Sequence, residues 1–336
     1  MLDIRSEINN RERKTFGQWF VYQFMNNRIF ILMIVLMILL IFMAIFYSKT
    51  FFSVGNFSAV LLNLTTSGIM AVGMTYLIVG GVFDLSIGAN LALGAAVAAY
   101  FMKSFTNIPI VLSVIIGISV SVFVGLLNGL IVTRLNVNAL ITTLGMMSIC
   151  RSLAIVITGS GIANLPDGFK AFGQLVFFRL QVPVFYLIII TIIGYFLLKK
   201  TVLFRKIFYI GSNENAAILS GINVKNIMLV SFIIMGLLAG FTGMVVAARL
   251  NAAVGTMMPD INLQVITAVV LGGGSLSGGR GSVIGSFVGC LFMAIIRNIM
   301  VITGMSIYLQ SGVIGLLLIV ILGLDAIIAK KYGTIT

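Results

Sequence analysis

The chain has 336 residues, of which 60% are hydrophobic and 9% are charged, and its mean hydropathy is +1.19. Soluble domains carry about 25% charged residues, so a water-soluble fold is excluded and an integral membrane protein is expected. The net charge of +13 does not indicate nucleic-acid binding, because the basic residues lie between apolar stretches, as membrane topology requires. Histidine is absent and acids are few, so we expect no catalytic residues, no metal and no cofactor.

Apolar stretches near the length of a membrane-spanning helix recur along the chain. In chain order, the predicted spans and part-spans are 29–46, 59–79, 89–102, 109–132, 139–158, 183–198, 227–250, 264–274, 283–302 and 307–328. Two polar, glycine-rich breaks at 80–88 and 275–282 interrupt the pattern. The sequence therefore predicts an all-α polytopic membrane protein with about ten transmembrane helices, some of them broken.

The distribution of basic residues predicts the orientation. Most of the 21 Lys and Arg fall in segments on one side, which the excess of positive charge identifies as cytoplasmic. Both termini are then cytoplasmic, as segments 1–28 and 329–336, and a single transmembrane domain spans 29–328. Within it, the loop 199–226 is cytoplasmic and the loop 159–182 is the longest external one.

Asp84 lies in the first break and is the only acid between Glu12 and Asp167. A carboxylate in an apolar stretch costs about 2.5–3.5 kcal/mol on insertion scales and is usually paired or functional. Three roles are open for it. With Ser86 it could cap a helix that starts near Ile87, it could contact substrate or a gate, or it could couple transport to an ion.

Uncharged polar side chains lie in the spans around this break. They are Asn63, Thr65, Thr66, Ser67 and Asn90. Such groups suit a polyol ligand, because they donate and accept hydrogen bonds without the desolvation cost of a charge. Ordinary hydrogen bonding between helices is the alternative. Together with Phe83, Asp84 and Ser86, these residues form the expected substrate path.

The glycine-rich segment 272–289 lacks the Gly-Lys-Ser/Thr ending of a phosphate-binding loop, so ATP binding is not expected there. Gly281, Gly285 and Gly289 instead form two GxxxG steps, which favour close helix packing in lipid. The two breaks also resemble each other: Gly80-Gly81 is followed by Leu85-Ser86, and Gly273-Gly274, just before the second break, is followed by Leu276-Ser277. Either a repeat of broken helices or chance accounts for this echo.

The loop 199–226 contains signals for one short helix. Asn213 can cap its start, Glu214 suits its first turn, and Gly221 can end it in the left-handed conformation. Such a helix could dock into a partner's groove or rest on lipid. The expected contact residues are Asn213, Glu214, Asn215, Ala216, Ala217, Leu219, Ser220, Gly221 and Ile222.

Four motifs occur in a fixed order between Phe51 and Asp325. They are Ile69–Thr75, Asp84–Gly88, Gly211–Ile222 and Ala268–Gly281. Taken together, they resemble the permease subunits of bacterial ABC importers for simple sugars, of the ribose/galactose type. The sequence departs from the usual family pattern at Ser212, at Asn215 and at the glycine-rich stretch before Asp84.

The resemblance implies a channel-forming subunit of the bacterial inner membrane that imports a pentose, a hexose or a sugar-like signal. It implies four partners besides membrane lipid: a second permease subunit, identical or related, two cytoplasmic ATP-binding subunits and a periplasmic sugar-binding protein. ATP hydrolysis would belong to the partner subunits, and Glu214–Ile222 would couple to them. The rival hypothesis is an ion-coupled secondary carrier of a small polar solute, which needs titratable residues within the spans.

Overall fold

A computed structural model describes residues 28–105 and 107–332, and helices dominate this part of the chain. The helices are α1 (Arg28–Phe46), α2 (Ser48–Phe51), α3 (Val54–Val79), α4 (Ile87–Ser104), α5 (Ile110–Arg134), α6 (Ala139–Thr158), α7 (Asp167–Gln174), α8 (Pro183–Lys200), α9 (Val202–Ser212), α10 (Glu214–Leu219), α11 (Val224–Leu250), α12 (Ile261–Leu271), α13 (Val283–Ile302) and α14 (Ile307–Tyr332). The strands are β1 (Ile162–Ala163), β2 (Val176–Phe177), β3 (Leu180–Gln181) and β4 (Ala252–Ala253).

The predicted fold class, an all-α polytopic membrane protein, is confirmed. Six of the described helices, α3, α5, α6, α8, α11 and α13, are long and apolar enough to cross a membrane. Shorter apolar stretches lie in α1, α12 and α14, and α4 adds 18 residues rich in alanine. The predicted number of about ten spans is reached only when these four helices are counted with the six long ones.

The helices α3, α4 and α11 form the buried centre of the protein. Glycines allow neighbouring helices to approach α11 closely. A Cβ on Gly125 of α5 would lie 3.0 Å from the Cα of Gly236 of α11, and one on Gly243 of α11 would collide with the Leu91 carbonyl of α4. The helices α5, α6 and α8 instead expose apolar side chains, such as Val156 at 79%, as expected of surfaces that face lipid.

Both breaks begin with the same helix-ending geometry. Gly81 (φ +87°) follows α3 and Gly273 (φ +96°) follows α12, each in the left-handed region. After α3, the amides of Gly81 and Val82 donate to carbonyls of the last helical turn at 3.0 Å each, and after α12 those of Gly273 and Gly274 do so at 3.0 and 2.9 Å. This pair of bonds is the Schellman motif. The Gly-Gly part of the sequence echo thus corresponds to a shared helix end, with Gly81 and Gly273 in equivalent positions.

Two predicted loops contain more structure than expected. The loop 159–182 holds α7 and three short strands, with β1 paired antiparallel to β4 and β2 to β3. The helix α7 packs against the end of α11, where the Gln174 side chain donates to the Ala248 and Arg249 carbonyls at 3.2 and 3.1 Å. The loop 199–226 holds α9 in addition to the short helix that was expected.

The predicted terminal segments lie largely outside the described residues. Of segment 1–28 only Arg28 is described, and of segment 329–336 only residues 329–332, as the end of α14. The cytoplasmic placement of both termini stays a prediction.

Candidate coupling surface and membrane path

The helix α9 holds the coupling segment, which we define as Asn213–Ile222, against the membrane helices. Thr201 caps α9 by accepting a hydrogen bond from the Phe204 amide at 3.4 Å. Phe204, Ile207 and Ile210 are buried, and their spacing puts them on one face. The Phe204 ring lies 5.1 Å from the ring of Tyr76 in α3. Burial of this face fixes α9 to the domain.

The helix α10 has a defined start and a defined end. The Asn213 side chain accepts a hydrogen bond from the Ala216 amide at 2.9 Å, which is an N-cap. Gly221 has φ +75°, and the amides of Gly221 and Ile222 donate to carbonyls of the last turn at 2.9 and 3.0 Å. The caps stabilise a helix of six residues that is too short to form alone.

The coupling segment exposes most of its side chains. Leu219 is 89% exposed, Ile218 is 53% exposed, and Ala217 is buried against the domain. Asn213, Glu214, Asn215, Ala216, Ser220 and Gly221 are exposed, and Ile222 is half-buried. Ile218 lies within the expected range Glu214–Ile222, although it was not named among the single contact residues. Ile218 and Leu219 thus form a small exposed apolar patch at the end of α10.

A buried polar cluster links the first break to α5. Asp84 is 1% exposed, and its Oδ1 accepts hydrogen bonds from the amide and the hydroxyl of Ser86 at 2.7 and 2.6 Å. The Nδ2 of Asn128 donates to Asp84 Oδ2 at 3.3 Å and to Ser86 Oγ at 3.0 Å. Within the described residues, no Lys or Arg forms an ion pair with Asp84. Hydrogen-bond donors alone therefore satisfy this carboxyl group.

Asn128 was not among the sequence-predicted residues. It lies inside an apolar span, and the only signal for it is an amide among hydrophobic neighbours. Its Oδ1 is buried and has no hydrogen-bond partner among the described residues, and the same is true of Asn90 Oδ1. Asn90 Nδ2 donates to the Ser121 carbonyl at 3.1 Å. Two amide oxygens between α4 and α5 thus retain the capacity to accept a hydrogen bond.

The polar residues of α3 lie apart from this cluster. Thr65 donates to the Leu62 carbonyl at 2.6 Å and Ser67 to the Asn63 carbonyl at 3.3 Å, so both hydroxyls bond within their own helix. Thr66 also bonds within α3, at 3.5 Å, and receives a bond from Arg249 at 3.4 Å. Fourteen residues, or about 21 Å of helix, separate Thr65 from the end of α3.

The predicted substrate path therefore consists of two separate groups. One is the α3 group of Asn63, Thr65, Thr66 and Ser67, and the other is the break group of Phe83, Asp84, Ser86 and Asn90. Phe83 is half-buried and packs against the core. A groove of about 300 Å³ elsewhere, between α8 and α11, is lined by apolar residues such as Ile190 and Leu238 and contains none of the path residues.

The predicted glycine face of α13 is shorter than expected. A Cβ on Gly285 would collide with the Gly272 carbonyl, and one on Gly289 with the Ala268 carbonyl, so both lie directly against α12. Gly281 instead precedes the first residue of α13 and has φ +158°. The reason is the cap at Ser282, whose hydroxyl accepts from the Gly285 amide at 2.9 Å and starts the helix after Gly281.

Two arginines within spans have internal partners. Arg151 donates to the carbonyls of Gly255 and Met257 at 2.7 and 3.1 Å. Arg297 donates to the Gln264 side chain at 3.1 Å. Arg151 thus ties α6 to the loop before α12, and Arg297 ties α13 to α12.

The family described as "Branched-chain amino acid transport system / permease component" matches residues 56–322. The ribose import permease protein RbsC of Bacillus subtilis is 35% identical over 273 residues, which are 80% of this chain and 84% of that protein. The galactose/methyl galactoside import permease protein MglC of Escherichia coli is 34% identical over 320 residues, or 89% and 93% of the two chains. The L-arabinose ABC transporter permease protein AraH of Azospirillum brasilense is 32% identical over 246 residues, or 73% and 72%.

No solved structure matches the chain. The match runs from the first turn of α3 into α14, so it covers both breaks and the coupling segment and leaves out α1 and α2. It agrees with six helices long enough to cross a membrane. The chain therefore belongs to this family of transport-system permease components, and it is a multi-pass inner-membrane subunit of an ABC importer.

Proposed function

We propose that this protein is the channel-forming subunit of an ATP-driven importer of a monosaccharide. The observation that carries the proposal is the 32–35% identity to permeases of ribose, galactose and arabinose import over most of each chain. The family description names branched-chain amino acids, so membership alone leaves the substrate class open. The neutral polar side chains of the α3 and break groups suit a polyol better than a charged amino acid.

The proposed assembly has a second permease subunit, two cytoplasmic ATP-binding subunits and a periplasmic sugar-binding protein. The coupling segment docks on an ATP-binding subunit, with Leu219 and Ile218 as its apolar contacts. Exposure of 89% and 53% for these two side chains supports this role, because docking would cover them. In this proposal the loop 199–226 and both termini lie in the cytoplasm.

In this proposal, the attachment of α10 to α9 allows the ATP-binding subunits to move the membrane helices. Closure of the ATP-binding subunits pushes on α10, and α9 passes the push to α3 because its apolar face is buried there. The substrate passes at the interface of two permease subunits, along the neutral polar groups. ATP hydrolysis belongs to the partner subunits.

The ion-coupled carrier has no observation of its own in its favour. It would use Asp84, but Ser86 and Asn128 already satisfy that carboxyl group in the closed interior of the domain. Family membership favours the importer.

Reconstitution tests the proposal. Proteoliposomes are prepared with the protein and its cognate ATP-binding subunits in the membrane, and its binding protein is added outside. The uptake of radiolabelled ribose, galactose and arabinose is then measured. We expect uptake of at least one sugar that requires both ATP inside and binding protein outside. Uptake driven by a proton or sodium gradient without ATP would contradict the importer.

A variant pair then tests the coupling segment in the same vesicles. Leu219→Asp places a charge on the proposed docking surface, and Leu309→Asp changes a leucine that is 62% exposed in α14. We expect Leu219→Asp to abolish uptake and retention of the ATP-binding subunits, and Leu309→Asp to leave subunit retention unchanged. Equal retention in both variants would show that α10 is not the docking site.

A further inference from the structure

The loop between α12 and α13, residues 275–282, packs against the coupling segment's supporting helix through bare backbone. Gly278 and Gly279 are left-handed, with φ of +85° and +73°. A Cβ on Gly278 would lie 2.5 Å from the Gly211 carbonyl oxygen, and one on Gly279 would lie 2.5 Å from Ser212 Oγ. In the other direction, a Cβ on Gly211 would collide with the Gly279 amide nitrogen. Gly211 and Gly278 therefore have no room for a side chain, whereas Gly279 meets the hydroxyl of Ser212, a side-chain atom.

The same loop is bonded to the end of α3. The Gly279 amide donates to the carbonyl of Val79, the last residue of α3, at 2.8 Å. The last carbonyls of a helix have no partner within it, so this bond satisfies a group that would otherwise be left open. A Cβ on Gly211 would also collide with the Val79 carbonyl. Three chain segments thus meet at one point.

Two backbone hydrogen bonds within the loop 275–282 make it rigid. The Ser275 amide donates to the Arg280 carbonyl at 3.0 Å, and the Gly278 amide donates to the Ser275 carbonyl at 2.9 Å. Contacts between backbones cannot relax by a change of side-chain rotamer, so a displacement of one segment moves the others. The contact at Gly211 lies two residues before Asn213, which caps α10.

We propose that Val79, Gly211, Gly278 and Gly279 form a backbone junction that transmits the movement of α10 to the breaks after α3 and α12. The inference rests on the proposed function and adds the route of its coupling step. Through the junction, one displacement of α9 reaches the ends of both broken helices together. The junction residues position the backbone and touch neither ATP nor substrate.

The chain offers a second route that the junction must be distinguished from. Ile222 leads from α10 directly into α11, which begins at Val224. If this covalent connection alone carried the movement, changes at Gly211 would leave transport intact.

The first test is Gly211→Ala, with Gly145→Ala as the matched control. Gly145 lies in α6 with nothing within 4 Å of an added Cβ, so that change is free of collision. In the reconstituted importer we expect Gly211→Ala to keep its ATP-binding subunits. Stimulation of ATP hydrolysis by loaded binding protein, and sugar uptake, should both fall about tenfold, a size typical of lost coupling. Gly145→Ala should match the wild type in every assay.

A cross-link provides the second test, which stands even if Gly211→Ala fails to insert. Ser212→Cys and Gly279→Cys are combined, and the pair is oxidised in the assembled importer; the native Cys150 and Cys290 are both buried. If the two segments move as one, uptake after oxidation should stay within about twofold of the reduced sample.

Two results would overturn the junction. One is wild-type uptake and stimulated hydrolysis in Gly211→Ala, and the other is uptake lost on oxidation of the cysteine pair and restored by reduction. Wild-type protein that shows no ATP-dependent uptake would instead count against the proposed function, so the two failures are separable.

Discussion

The two breaks in the membrane domain end their preceding helices in the same way and then differ in what they hold. After α3 the chain places a buried acid, Asp84, against Ser86 and Asn128 in the interior. After α12 it places an exposed base, Arg280, in a loop that packs on α9. The shared Gly-Gly stop is thus a structural device, and the residues after it decide whether a break is anchored in the domain or joined to the coupling segment.

The largest expected effect is at the buried acid. Asp84→Ala leaves the amide and hydroxyl of Ser86 and one donor of Asn128 without their acceptor. Each orphaned buried group costs about 1–3 kcal/mol, so we expect a loss of about 3 kcal/mol or more in the free energy of unfolding. The measurement is the midpoint of heat-induced unfolding in detergent.

The control for the acid is Asp167→Ala. Asp167 forms an exposed ion pair with Lys170 at 2.7 Å, and we expect little change from its loss. Similar shifts in the two variants would show that the buried cluster does not stabilise the first break.

Asn128→Ala should have the next largest effect. It removes the hydrogen bond from α5 to Asp84 but also removes the unpartnered Oδ1, so the net loss should be about 1–3 kcal/mol, below that of Asp84→Ala. The double variant Asp84→Ala/Asn128→Ala should lose less than the sum of the two single losses, because both act on one network. Strict additivity would contradict the network.

Gly81→Ala and Gly273→Ala test whether the two helix stops are equivalent. Both residues have positive φ, and neither has an atom within 4 Å of an added Cβ, so only backbone conformation changes. We expect equal losses of about 1 kcal/mol, read from the same unfolding midpoints. Clearly unequal losses would mean that the two breaks are not built alike.

The smallest effect on stability is expected at the exposed base. Arg280→Ala should change the free energy of unfolding by less than about 0.5 kcal/mol, because exposed substitutions rarely do more. A large loss would show that the second break, like the first, depends on its charged residue.

These comparisons also show what the sequence can predict here. Long apolar stretches indicated most helices to within a few residues, and α6 and α13 have the predicted bounds. Cap and stop residues predicted α10 because Asn213 and Gly221 act locally. The helix α9 was missed because basic residues follow the first of its buried apolar positions, and a stretch with several charges is typical of a loop. Those apolar positions are Phe204, Ile207 and Ile210.

Contacts between segments that are distant in the chain could not be predicted from local sequence patterns. Nothing local to Asn128 indicates that it meets Asp84, and nothing local to Gly211 indicates that it meets Gly279. The polar residues of α3 are close to the first break in sequence, but more than three turns of α3 separate these residues from the break in space. Helical periodicity gives the face on which a residue lies, and tertiary packing decides what that face meets.

The most direct test of the central claim, that α10 docks on the ATP-binding subunit, is a photo-crosslink in the assembled importer. A photoreactive amino acid is placed at position 219, where the native leucine is 89% exposed, and at position 309 as the control. We predict a crosslink to the ATP-binding subunit from position 219 and none from position 309. Crosslinks from position 219 to lipid alone would contradict the account and would place α10 on the membrane surface.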